Sequence, residues 1–261
     1  MLRSRVIPCL LVHKKGLVKT VKFKEPKYVG DPLNAVKIFN EKEVDELMVL
    51  DIDASNEGKE PNYEFIKNIA NECRMPLCYG GGIKTIDQAH NITQLGAEKV
   101  AISSVYFEQE GFLEELSEII GSQSIVVVLD IKKSFMGNYE VYINNGQTKI
   151  KKPLKEILKD LNNSPIGELV INSIDKDGLM NGYDMKLASL VRKLVNFPLT
   201  ILGGAGSYSD ILDIVKEFKI IGAAAGSLFV FKGVYKAVLI NYIDNKDRER
   251  IRDLAYSSED R

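Results

Sequence analysis

The chain has 261 residues, of which 45% are apolar, and a formal net charge of −1 with a pI near 6.2. Its length allows one barrel-sized domain or two smaller ones, and its charge argues against nucleic acid or an anionic membrane as a partner. No apolar run is long enough to span a membrane. Cys9, Cys73 and Cys78 lack disulfide or zinc spacing, which favours buried thiols in the cytoplasm. Nothing in the sequence implies a metal or a cofactor.

Short apolar runs alternate along the chain with segments of helical period. The runs predicted to be strands are 5–11, 47–53, 76–79, 99–103, 125–131, 168–172, 199–202 and 220–225. The segments predicted to be helices are 31–40, 63–73, 86–95, 112–120, 154–161, 186–194, 209–218 and 233–243. Eight βα units predict an α/β fold, a (β/α)8 TIM barrel, with a doubly wound open sheet as the alternative.

Two segments depart from this alternation. Residues 139–143 and 148–152 flank Asn144, Asn145 and Gly146, which predicts a β-hairpin inserted after the fifth strand. Residues 245–261 are rich in charge and are expected to form a solvated end that frays. We therefore expect a barrel domain over residues 1–244, followed by a charged C-terminal tail over 245–261.

An internal repeat supports the barrel. Gly81 and Gly203 stand 122 positions apart, as do Asp53 and Asp175, and Ser104 precedes Ser227 by 123 positions. These landmarks share one register, which indicates two half-barrels in tandem.

Glycine pairs and serines follow corresponding strands in both halves. Glycine lets the backbone approach an anion closely, and N–H groups at a helix start carry partial positive charge. The predicted phosphate-binding residues are Gly81, Gly82, Ser103 and Ser104 in the first half and Gly203, Gly204, Gly226 and Ser227 in the second. These glycines could instead serve only tight turns, but their symmetric placement favours a ligand with a phosphate or equivalent anion at each end.

The ordered motifs resemble a known family. Residues 5–10, 30–32, 50–55, 80–83, 173–178 and 203–206, together with Asp130, are similar to the cyclase subunit of imidazole glycerol phosphate synthase. The similarity covers residues 2–243. It implies a two-phosphate (β/α)8 barrel of histidine biosynthesis that receives ammonia from a glutaminase subunit docked on its N-terminal face. The barrel then joins the ammonia to a phosphoribulosyl formimino intermediate.

The resemblance also implies roles for individual residues. Asp130 matches the catalytic aspartate at the end of the fifth strand, and Lys19 matches a lysine of the mobile first loop, here within the lysine-rich segment 14–24. Asp177 and Gly178 match the loop that lines the substrate mouth. Gly82, Ser104, Gly204 and Ser227 match phosphate-contacting positions. Ser103 stands where the family has asparagine.

Four charged residues match the family's ammonia gate at the base of the barrel: Arg5, Glu46, Lys99 and Glu168. Strand alternation supports this match, because each charge begins a row of residues that faces the interior. Two cations and two anions would balance there. The same pattern would also suit a seal that merely closes the base.

One position breaks the family pattern. Leu11 stands where the family has a first-strand acid or base, and loss of such a group costs on the order of 10² to 10⁴ in rate. His13 lies two residues further along and is a conceivable substitute, although a lone loop histidine is more often solvated. Asn172 also replaces a usual threonine.

Three functions fit these residues. The favoured hypothesis is a synthase subunit of a glutamine amidotransferase complex in surface-polysaccharide or nonulosonate sugar biosynthesis, working with a glutaminase and a possible third, sugar amidotransferase subunit. This hypothesis explains a retained gate beside a lost carboxylate. The alternatives are an ordinary cyclase of histidine biosynthesis and a non-catalytic channel scaffold that activates the glutaminase.

Overall fold

The computed structural model describes residues 3–54 and 58–256. Its elements follow one another as β1 (Arg5–His13), β2 (Gly16–Val21), β3 (Lys24–Gly30), α1 (Pro32–Glu41), β4 (Leu47–Asp51), α2 (Tyr63–Glu72), β5 (Leu77–Gly80), α3 (Ile86–Gln94), β6 (Lys99–Ile102), α4 (Ser104–Glu108), α5 (Phe112–Ile120), β7 (Ile125–Lys133), β8 (Tyr139–Ile143), β9 (Thr148–Lys149), α6 (Leu154–Leu161), β10 (Glu168–Ser173), α7 (Met185–Arg192), β11 (Leu199–Leu202), α8 (Tyr208–Phe218), β12 (Gly222–Ala225), α9 (Ser227–Val230), β13 (Phe231–Lys232), β14 (Ala237–Val238) and α10 (Asn245–Tyr256).

Eight parallel strands close into a barrel in the order β1, β4, β5, β6, β7, β10, β11 and β12, and β12 pairs back with β1. Helices follow the strands on the outside, so the predicted (β/α)8 fold is confirmed. The register places Asp130 of β7 beside Asn172 of β10 and Leu11 of β1 beside Leu50 of β4. Because β1 and β7 are four strands apart in a ring of eight, Leu11 and Asp130 face each other across the barrel.

The apolar residues form two layers. Between strands and helices lies the larger core, and α6 shows how a helix joins it: Leu154, Ile157, Leu158 and Leu161 are buried on one face. A smaller cluster fills the barrel interior, and Leu11 and Leu50, near the carboxyl ends of β1 and β4, pack against it. Along the described residues, no helix is both long and apolar enough to cross a membrane.

Two hairpins extend from the carboxyl ends of the strands. The predicted hairpin after the fifth barrel strand is confirmed as β8 paired with β9, and β8 also pairs with β7. The lysine-rich segment after β1 folds as a second hairpin, β2 with β3. Its turns use left-handed backbone at Lys14, Lys15, Lys22 and Phe23.

The C-terminal region differs from the prediction. The expected helix over 233–243 is wrong, because Gly233 and Lys236 adopt positive φ and turn the chain between β13 and β14. The helix begins instead at Asn245, after the Asp244 carboxylate accepts a hydrogen bond from Asp247 N at 2.8 Å. Residues 245–256 therefore form α10, in which Ile251 and Ala255 are buried. The rest of the predicted tail, 257–261, lies outside the described residues.

Candidate active site

A cavity of about 470 Å³ opens at the carboxyl ends of the barrel strands. Every residue predicted to bind phosphate or substrate lines it, and so does Asp130: Lys19, Gly81, Gly82, Ser103, Ser104, Asp177, Gly178, Gly203, Gly204, Gly226 and Ser227. The fold thus brings residues from both half-barrels to one mouth. Their roles there follow from the geometry of each group.

Asp130 is a single carboxylate at the floor of this cavity. Burial raises its pKa to about 7, although the amide of Asn172 donates to Oδ1 at 2.9 Å and opposes part of that rise. A carboxyl group with such a pKa can both hold and release a proton near neutrality. The hydrogen bond from Asn172 therefore limits the rise in the pKa of Asp130.

The wall that faces Asp130 is apolar. Leu11 and Leu50 are register partners on neighbouring strands, and both line the cavity. The conceivable substitute, His13, does not reach the cavity. Its Nδ1 lies 2.6 Å from Oδ1 of Asp53, whose other oxygen accepts from Lys14 N at 2.7 Å. His13 is therefore part of a rim contact and does not replace the lost group.

Lys19 points from the β2–β3 hairpin into the cavity. Its Nζ donates to the carbonyl oxygen of Cys9 at 2.7 Å, and the residue is 6% exposed. Burial lowers its pKa. The amine also lies against the backbone at the end of β12, because a Cβ built on Gly226 would be 2.5 Å from Nζ. Lys19 is thus placed beside Gly226 and Ser227.

Asp177 and Gly178 hold that hairpin over the mouth. Asp177 Oδ2 accepts from Thr20 Oγ1 at 2.7 Å and from Phe23 N at 3.1 Å, and its carbonyl accepts from Lys22 N. Burial raises the pKa of Asp177. Gly178 has φ +69 and lies so close to Thr20 that a side chain there would clash with the Thr20 carbonyl. The loop after β10 therefore both holds the β2–β3 hairpin in place and lines the mouth of the cavity.

The β8–β9 hairpin supplies cavity residues that the sequence analysis did not identify. Ser104 Oγ donates to Asn144 Oδ1 at 3.2 Å and accepts from Asn144 N at 3.4 Å, while the Asn145 amide donates to the Ile52 carbonyl. Phe23 of the other hairpin approaches Gly146. The turn Asn144–Asn145–Gly146 was recognisable as a turn, but no sequence signal placed it over the first-half serine.

The opposite end of the barrel contains the four predicted gate residues in one ring. Arg5 contacts Glu46 and donates to Glu168 at 2.7 Å, while Lys99 donates to Glu46 at 2.9 Å and to Glu168 at 2.8 Å. Burial opposes ionisation of Glu168, yet Arg5 and Lys99 together lower its pKa to about 2. Thr200, which sequence reasoning missed, also donates to Glu168. The ring is closed by hydrogen-bonded ion pairs.

Apolar side chains occupy the interior between the ring and the cavity. They come from all eight barrel strands and consist of Ile7, Cys9, Met48, Cys78, Ala101, Val126, Val128, Val170, Leu202 and Ala224. Burial raises the pKa of the Cys9 thiol to about 12, so it stays neutral. Each row predicted to face inward therefore does so: Cys9, Met48, Ala101 and Val170 lie in the interior behind Arg5, Glu46, Lys99 and Glu168 respectively.

Several known proteins are similar to this chain along nearly its full length. The sequence model of the family described as "Histidine biosynthesis protein" matches residues 5–236. A Vibrio vulnificus protein that carries the provisional name imidazole glycerol phosphate synthase subunit hisF3 is 56% identical over 255 residues, covering 97% of this chain and 98% of the relative. A Pseudomonas aeruginosa protein provisionally named subunit hisF2 is 50% identical, covering 94% and 97%. The subunit HisF of Natranaerobius thermophilus is 37% identical, covering 95% and 99%.

Proposed function

This chain belongs to the HisF family of histidine biosynthesis proteins, the cyclase subunits of imidazole glycerol phosphate synthase, and on that premise we propose that it is the synthase subunit of a glutamine amidotransferase complex. It takes ammonia from a glutaminase partner through the barrel and delivers it to a phosphorylated or sugar acceptor in surface-sugar biosynthesis. The proposed partners also include a third, sugar amidotransferase subunit.

One arrangement supports the proposal: the charged ring, the apolar interior and the cavity follow one another along the barrel axis. The ring of Arg5, Glu46, Lys99 and Glu168 closes one end, apolar side chains fill the interior, and Asp130 stands at the other end. Ammonia is small and neutral, so an apolar interior admits it at far lower cost than an ion. A glutaminase docked over the ring would supply ammonia where the ring opens.

Of the two facing positions that the family resemblance assigns to acid or base catalysis, only that of Asp130 carries an ionisable group. Asp130, with a pKa near 7, can take a proton from an attacking ammonia or return it to the acceptor. The facing wall, Leu11 and Leu50, cannot exchange a second proton. By family resemblance, ring closure in the ordinary cyclase uses a pair of groups, of which this cavity keeps one.

Ordinary cyclase action in histidine biosynthesis is the second candidate. The names of the relatives favour it, and so do Asp130 and Lys19, which occupy the cavity. The third candidate, a scaffold without chemistry of its own, would explain the lost carboxylate equally well. These candidates differ in what the purified barrel does with ammonium.

The direct test supplies the purified barrel with ammonium and the formimino ribonucleotide of histidine biosynthesis and follows its consumption. We expect turnover at least about 100-fold below that of an ordinary cyclase, because the acid or base opposite Asp130 is missing. Leu11→Asp should raise turnover, while Leu50→Asp, on the same wall one strand away, should not. Wild-type turnover at the ordinary rate would overturn the proposal in favour of the histidine pathway.

A second measurement separates enzyme from scaffold. The barrel is mixed with its glutaminase, amide-¹⁵N glutamine and a sugar-phosphate extract of the source cells, and labelled products are identified by mass spectrometry. We expect ¹⁵N-labelled sugar derivatives that Asp130→Asn abolishes. Labelled products that persist unchanged in Asp130→Asn would leave the barrel as a channel only.

A further inference from the structure

The two ends of the cavity differ in chemistry although the half-barrels share one sequence pattern. We infer that the cavity takes a sugar monophosphate, with its phosphate at the end formed by the second half-barrel and its hydroxyls at the end formed by the first. This inference rests on the proposed function only in taking the cavity as the acceptor site. It replaces the expected ligand with an anion at each end.

The phosphate end is the set Lys19, Gly203, Gly204, Gly226 and Ser227. Lys19 Nζ is buried there, and its hydrogen bond goes to a neutral carbonyl, that of Cys9. Within residues 3–54 and 58–256, no carboxylate lies within ion-pair distance of Nζ. A buried ammonium is costly until an anion pairs with it. A phosphate group against Gly226 would be that anion.

Asp177 does not serve as the anion that pairs with Lys19. It is close enough to interact electrostatically with Lys19, but its Oδ2 is engaged by Thr20 and Phe23. The Ser227 hydroxyl makes no hydrogen bond to any protein atom in the part of the chain that the structure describes. It is available to a ligand on the same side as Lys19.

The hydroxyl end is the set Ser103, Ser104, Asn144 and Asn145. The symmetry partner of Ser227 is Ser104, and its single hydroxyl proton is already donated to Asn144. The Asn145 amide donates to the protein as well. Lys84 lines this end, but Glu108 lines it too, so the two formal charges cancel. No buried cation corresponds to Lys19 among the described residues here.

Among the described residues, two buried polar atoms of the cavity have no protein partner: Oγ of Ser103 at the hydroxyl end, and Oδ1 of Asn172 beside Asp130 and near Gly203. Asn172 is 7% exposed, so its orphan oxygen is costly unless a ligand donates to it. Sugar hydroxyls both donate and accept hydrogen bonds, which suits an amide oxygen as well as a serine hydroxyl. The apolar wall of Leu11 and Leu50 suits the C–H face of a sugar ring. Ser103, Asn172 and Leu11 are also the positions where this chain departs from the family pattern.

The first arm of the test counts phosphates. Purified full-length barrel is titrated with inorganic phosphate by calorimetry and ³¹P NMR. We expect one phosphate per chain, with affinity reduced at least tenfold in Lys19→Met because the charge-assisted contact is lost. Lys37→Met, on the exposed face of α1 and outside the cavity, is the matched control and should bind as the wild type does. Two phosphates per chain, or a single phosphate lost in Lys84→Met at the hydroxyl end, would overturn the inference.

The second arm compares fructose 6-phosphate with fructose 1,6-bisphosphate. We expect the monophosphate to bind at least as tightly, whereas a cavity with two phosphate sites would prefer the bisphosphate tenfold or more. Asn144→Gly, which suits the left-handed φ of +52, should free Ser104 and shift preference toward the bisphosphate. A bisphosphate preference in the wild type, or no binding of either sugar, would overturn the inference. These results are independent of the ¹⁵N transfer that tests the proposed function.

Discussion

Single residues decide what the mouth of this barrel can do. Asp130 lies at the floor of the cavity, Leu11 faces it, and His13 is turned to Asp53 at the rim. The pKa of Asp130 is therefore set by burial, by the amide of Asn172 and by the nearby charge of Asp177. The protonation of this carboxyl group should therefore affect how the stability of the fold depends on pH.

We predict that Asp130 makes the fold less stable as pH rises. Its folded pKa of about 7 lies above the unfolded value, so the folded state holds a proton that the unfolded state has lost between about pH 4 and 7. The contribution is fully present below the unfolded pKa and is lost as pH rises through 7, at up to about 1.4 kcal/mol per pH unit. Urea unfolding of wild type and Asp130→Asn at several pH values measures it. A difference between the two proteins that does not change from pH 4 to 8 would contradict a raised pKa.

At the scale of elements, two hairpins form the roof of the cavity. β2–β3 is held by the loop after β10, and β8–β9 is held by Ser104 and the end of β4. Both hairpins place polar side chains over the mouth, and Phe23 approaches Gly146 where they meet. The roof of the cavity thus depends on contacts between residues far apart in the chain.

Gly178→Ala should detach the β2–β3 hairpin. The added Cβ would clash with the Thr20 carbonyl, so the hydrogen bonds from Lys22 N and Phe23 N to Asp177 should open. Hydrogen exchange at these two amides should accelerate at least tenfold, with a stability loss of more than about 1 kcal/mol.

Gly111→Ala provides the control for that variant. Gly111 also has positive φ, at +78, but a Cβ there would meet nothing within 4 Å. It should cost a similar backbone strain of about 1 kcal/mol without changing exchange at Lys22 and Phe23. Equal exchange rates in both glycine variants would show that Gly178 does not hold the hairpin.

At the scale of the whole molecule, charge and polarity are separated along the barrel axis. The four-residue ring closes one end, the interior is apolar, and the cavity lies at the other end. The ring also contributes to stability, because each carboxylate in it contacts both cations. Removing one charged residue of the ring should therefore lower the stability of the fold.

Glu168→Gln should destabilise the protein by about 3 to 5 kcal/mol at pH 7, because Arg5 and Lys99 then lose a buried counter-charge. The pKa of Glu168 is depressed to about 2, so its contribution is present above pH 4.5 and lost as pH falls toward 2. The variant should therefore lose less stability than the wild type over that range, as urea unfolding can measure.

The double variant Glu168→Gln/Lys99→Met restores the charge balance of the ring. It should recover part of the lost stability, since one cation and one anion remain to pair. A double variant that is less stable than Glu168→Gln alone would contradict the ion-pair account.

The sequence by itself determined the barrel and the identity of its polar residues. Periodicity and the half-barrel repeat predicted all eight barrel strands, and strand alternation put Arg5, Glu46, Lys99 and Glu168 at one end. These features are local, because side-chain direction in a strand is fixed by its pleat. The C-terminal helix was misplaced, since positive φ at Lys236 and the Asp244 cap leave weaker signals than apolar period.

Only the tertiary structure decided which groups meet. It turned His13 to Asp53, seated Lys19 against Gly226, and brought Asn144 over Ser104, although the two half-barrels have matching serines. Such contacts join residues separated by many positions in the chain, and hairpin direction depends on packing rather than on local propensity. The sequence therefore predicted a symmetric cavity, whereas long-range packing made its two ends chemically different.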